Sequence, residues 1–150
     1  MPRYQDEAMF FDVPRDWQDR TIVAYAAPPL PGRERTSNLV MTREELREDE
    51  TLASYVDRQV EQLAQRMEGF ELIERESRQV ADRPAVCVRI RSGNESDKFE
   101  QHLAMVEMPR RVVASFTMTV PDDDAAQMAP LFDRILSTVR LGARPPESPS

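Results

Sequence analysis

Glycine is scarce in this chain, with four residues in 150, so no glycine-rich loop that cradles a phosphate can be written. Cysteine occurs once, as Cys87, which excludes an internal disulfide and fits a reducing compartment. Histidine also occurs once, as His102, with no second histidine or cysteine near it to complete a metal or acid–base pair. Basic residues are in deficit: the net charge of −7 argues against nucleic acid, which rewards clustered Lys and Arg with counterion release. No apolar window approaches the roughly 20 residues of a membrane span, so no direct insertion is expected. The opening Met1-Pro2-Arg3-Tyr4-Gln5-Asp6-Glu7 lacks the basic start and apolar run of a secretory signal. The expectation is a soluble protein of the cytoplasm.

What remains is an ordinary globular composition, 40% apolar and 31% charged, in a length that suits one domain. Ala8 to Val13 reads as a short strand stopped by Pro14, and Thr21 to Ala27 as a second, rich in β-branched and aromatic residues. Asn38 to Thr42 reads as a third. A helix follows from the N-cap Thr51, with Leu52, Tyr55, Val56, Val60, Leu63 and Met67 at spacings of three and four and Gly69 past its end. The period then falls to two. Phe70–Val80, Ala85–Arg91, Lys98–Met108 and Arg111–Val120 read as four antiparallel strands separated by turn residues. Asp122-Asp123-Asp124 opens a last helix whose stripe runs from Met128 to Val139. The expected architecture is α+β, an antiparallel sheet of about six to seven strands with both helices on one face. Residues 1–141 form the expected single domain, and the proline-bearing 142–150 are expected to be a disordered tail.

Few side chains ask for chemistry. Cys87 alternates with valines and reads as a packed thiol, and His102 as a structural histidine. The aspartate triplet suits a helix start better than a cation, since the EF-hand spacing is missing. No nucleophile elbow or metal motif is present, so neither catalysis nor a cofactor is expected. The distinctive stretch is Pro14-Arg15-Asp16-Trp17-Gln18-Asp19-Arg20-Thr21 between two strands. Trp17 reads as a core plug at the sheet end, and Asp19 as a partner for the turn that Pro14 begins.

A strand, then Pro-x-x-Trp-x-Asp-x-Thr, then a second strand resembles the opening of the DcrB-like domains, which have the PsbP-like α+β fold. The third strand Asn38–Thr42 and the Tyr55-x-x-x-Gln59 pattern ahead of Leu63 extend the resemblance, which runs from about Glu7 to Leu141. Length and the Trp17 opening are most similar to the Eag chaperones of type VI secretion. That resemblance implies a homodimer that shields the N-terminal transmembrane segments of a PAAR- or Rhs-containing effector in a Gram-negative bacterium. It also implies a surface for those segments. Ile22, Ala24, Val40, Leu103 and Met105 are the expected apolar contributors, with Ala24 and Ala26 small enough for close helix approach. Gln59, Gln101 and Gln62 are the expected polar ones. The competing expectation is a non-enzymatic assembly factor of the same fold docking on a folded partner. An enzyme or ligand carrier would need a closed pocket with convergent polar groups.

Overall fold

The computed structural model describes residues 3–5, 9–18, 20–28, 31–32 and 36–140, the first three as backbone. Ala8, Asp19 and the proposed tail lie outside the described residues. The order is β1 (Arg3–Gln5), β2 (Phe10–Asp12), β3 (Ile22–Ala26), β4 (Asn38–Glu45), α1 (Leu52–Arg66), β5 (Glu71–Val80), β6 (Arg83–Asn94), β7 (Asp97–Met108), β8 (Val112–Pro121) and α2 (Ala125–Ser137). Strands β3 to β8 form one antiparallel six-stranded sheet in the order β3-β4-β8-β7-β6-β5. The α+β class with two helices therefore holds. The strand expected at 8–13 joins no part of this sheet. It is β2, paired with β1 in a separate two-stranded ribbon.

α1 starts where expected, because Thr51 and Ser54 form a reciprocal capping box. Gly69 follows it at φ +63°, and a Cβ there would lie 2.4 Å from the Gly93 carbonyl oxygen, so the chain needs glycine at this crossing. The aspartate triplet is a 3₁₀ turn without a side-chain cap bond, and α2 begins after it at Ala125.

The two helices lie on opposite faces of the sheet, which corrects the expectation of one face. Val86, Val88, Ile90, Leu103, Met105 and Val113 pack with Tyr55 and Val56 of α1. Ala85, Cys87, Ala104, Val106, Met118 and Val120 pack with Met128, Phe132 and Leu136 of α2. The reason is legible in β6. Four consecutive residues, Ala85 to Val88, are buried, and a strand apolar on both faces has to be covered on both. Trp17 corrects a second expectation: it is 64% exposed and plugs nothing.

A candidate docking groove between the first helix and the sheet edge

Strand pairing arranges the α1 face in lines that run across the sheet. One line is Ala24, Val40, Thr117, Leu103 and Val88, each paired with the next. A second is Ile22, Thr42, Ser115, Met105 and Val86, and a third is Ala26, Asn38, Thr119, Gln101 and Ile90. The expected residues Ile22, Ala24, Val40, Gln101, Leu103 and Met105 therefore share one face. α1 divides them. Leu103 and Met105 are 7% and 1% exposed in the core beneath the helix, so they support the floor rather than offer surface. Ile22 is 66% exposed, Ala24 is exposed and Val40 is half-buried, because among the described residues neither α1 nor α2 covers β3, β4 and the near side of β8.

The result is a trough with α1 as one wall. Tyr55 turns its hydroxyl to Glu44 Oε2, at 3.2 Å, so this side of the helix looks onto β4. Gln59 lies one turn beyond Tyr55, and Gln62 one turn beyond Arg58, both half-buried on the same flank. Gln101 sits at the far end of the floor, where its Nε2 donates to Thr119 Oγ1 at 3.2 Å. Its Oε1 is buried with no hydrogen-bond partner among the described residues. From Asn38 to Glu44 the trough runs about 20 Å at the usual strand rise.

The Glu44 end is closed by charge. Arg58 grips Glu50 through Nε at 2.8 Å and a second nitrogen at 3.0 Å, reaches Glu44 at 3.4 Å, and lies 5.1 Å from the Tyr55 ring centre. The hydrogen bonds from Arg58 hold the Glu50 carboxyl down at about 2, while burial pushes the Tyr55 hydroxyl up. Sequence reasoning missed Glu44, Tyr55 and the hydroxyls Thr42, Ser115, Thr117 and Thr119 as groove residues. The alternation of β8 between Val113-x-Ser-x-Thr-x-Thr and an apolar set was the available signal.

The opposite face carries a recess of about 220 Å³ beside α2, lined by Glu74, Glu76, Arg78, Arg89, His102 and Asp133 among others. Its two arginines are paired, Arg78 with Asp133 at 3.0 Å and Arg89 with the buried Glu100 at 3.3 Å, and Arg91 reaches the same Glu100 at 3.3 Å. Burial pushes the Cys87 thiol up and the His102 imidazole down, so the nearest thiol–imidazole set is biased to its neutral forms. Among the described residues no cluster of three or more His, Cys, Asp or Glu is placed to hold a metal ion, and no helix is long and apolar enough to cross a membrane.

An α+β domain whose sheet keeps a half-open apolar face beside a helix is the class that fold and site define. The chain belongs to the DcrB family, whose model matches residues 9–138. Among solved structures it is similar to PA94 of Pseudomonas aeruginosa, described as a protein of unknown function and putative regulator. That match has 26% identity and a TM-score of 0.79, and covers 97% of this chain and 98% of that one. It shares its fold with the cyanobacterial PsbP of Synechocystis sp. PCC 6803, at 18% identity, TM-score 0.52, and coverage of 91% and 89%. LpqN of Mycobacterium tuberculosis, described as involved in cell envelope biogenesis, is similar in fold at 10% identity, TM-score 0.52, and coverage of 77% and 81%. A search of curated proteins finds no match.

Proposed function

We propose that the trough between α1 and β3 is a docking groove for an apolar helix, and that the protein is a non-catalytic chaperone for such segments. The observation that carries this reading is the uncovered row Ile22, Ala24 and Val40 beside the amide-bearing wall and floor of Gln59, Gln62 and Gln101. Apolar surface left open between elements marks a binding site, and the amides supply the polar contacts that orient a guest. In the finer form of the proposal, the guest is the N-terminal transmembrane region of a PAAR- or Rhs-type effector, held in the cytoplasm before type VI secretion. The Trp17 opening and the Tyr55–Gln59 pattern support this form.

The size of the groove supports a second copy. About 20 Å of trough holds roughly 13 residues of helix, whereas a span needs roughly 20. One protomer leaves part of such a guest in water, and a homodimer would cover the remainder.

A second reading, docking on a folded partner, draws on Met9, Phe10, Phe11 and Tyr25, large apolar side chains exposed outside the groove. Coexpression with the N-terminal region of a candidate effector separates the two. The chaperone reading expects a soluble complex with a fragment that is insoluble alone, and expects Ile22→Asp to abolish it. A fragment that stays soluble and ignores this protein would favour the assembly-factor reading.

A further inference from the structure

The floor of the groove is not uniformly apolar. β8 gives Ala114, Phe116 and Met118 to the α2 face, and Ser115, Thr117 and Thr119 to the groove, the last three half-buried. Alternate residues of a strand stand about 6.7 Å apart, so these three hydroxyls span about 13 Å. A helix lying along the strand repeats one stripe every four residues, about 6 Å, so positions i, i+4 and i+8 span about 12 Å. Row and stripe therefore keep step over three positions.

A guest that covers this row removes its water. Ser115 is hydrogen-bonded to the Tyr55 hydroxyl and Thr119 accepts from Gln101. A purely aliphatic stripe would therefore strand Thr117 above all and leave bonding capacity unused at the other two, whereas Ser, Thr, Asn or Gln would replace the lost bonds. Thr119 already accepts from Gln101, which leaves its own proton to donate, and Gln101 Oε1, without a partner among the described residues, adds a polar acceptor.

We propose that Ser115, Thr117 and Thr119 are a specificity-determining row that selects guest helices bearing Ser, Thr, Asn or Gln at i, i+4 and i+8 of the docked stripe. The inference rests on the docking-groove reading. Its test uses two labelled helical peptides, identical except for Ser or Ala at those three positions, titrated against the full chain, Thr117→Val and Thr117→Ser. The unsubstituted protein should favour the Ser peptide by about tenfold or more. Thr117→Val should narrow that preference by about fivefold, the worth of one hydrogen bond, and Thr117→Ser should keep it. Melting curves of both variants should match the parent. Equal binding of both peptides, or an unchanged preference in a folded Thr117→Val, overturns the row's role. Failure of the parent to bind either peptide overturns the groove reading itself.

Discussion

The strip of sheet that α1 leaves open and the strip beside α2 carry opposite chemistry. Along the first lie Ile22, Ala24, Val40 and Thr117, with charge only at the Glu44 end. Along the second lie Glu74, Glu76, Arg78 and Arg89, with Arg78 paired to Asp133 and Arg89 to Glu100. An apolar guest on the second strip would desolvate charges that already have partners, at several kcal/mol per ion. On the first it covers methyls and hydroxyls. The sheet edges repeat the contrast. β5 reads Glu-Leu-Ile-Glu-Arg-Glu-Ser-Arg-Gln-Val, a charged edge that resists pairing, while β3 reads Ile-Val-Ala-Tyr-Ala with no charge. One edge of the sheet carries charge along its length and the other carries none.

Substitutions should break this contrast unevenly. The largest effect is expected from Met105→Ala, which empties core space under α1 and should cost about 3 kcal/mol in chemical denaturation. Guest affinity of the folded fraction should not change. Glu100→Ala should cost about 2–3 kcal/mol, because it leaves Arg89 and Arg91 facing a site without its carboxylate. It too should spare guest binding, and a loss of binding there would place guest contacts on the charged strip. Ile22→Asp inverts the pattern: stability should hold within about 0.5 kcal/mol, while guest affinity falls at least about tenfold.

The groove end adds a pH signature. The Glu50 carboxyl is held at about 2 in the folded protein, below its ordinary value. Its contribution is therefore fully present above about pH 4.5 and lost as pH falls from there toward 2. Glu50→Gln should remove about 1 kcal/mol at pH 7 and flatten that acid limb of the stability curve. Gln101→Ala is the mildest change, with an expected threefold loss of guest affinity and no change in melting.

Much of this was legible before any fold was seen. The period-two runs marked β5 to β8, and Thr51 marked the start of α1. Alternation also put Ile22 and Ala24 on one face, and the pairing of Ala24 with Val40 adds Val40 to it. What alternation could not supply is coverage. β8 lies between β4 and β7, an order fixed by long-range pairing, and that order decides which residues of a face α1 reaches. Hence Leu103 is core while Thr117, beside it, lines the trough. Cys87 reads as a packed thiol from the sequence and is buried, although Arg89 and Arg91 share its side of β6. Phe132 and Leu136 of α2 close over that side near Ala85 and Cys87, and the arginines emerge beyond them. Trp17 misled because a lone tryptophan is a sound core candidate by composition, and its exposure depends on contacts no local pattern encodes.

The most direct test of the account is amide hydrogen exchange on the full chain, with and without a solubilised guest helix. New protection in β3 and β4 and along the Tyr55–Gln62 flank of α1, with the β5 edge unchanged, is the predicted result. Protection confined to the β5–β6 strip or to the β1–β2 ribbon would contradict it, because the guest would then sit where the account places water or a different partner.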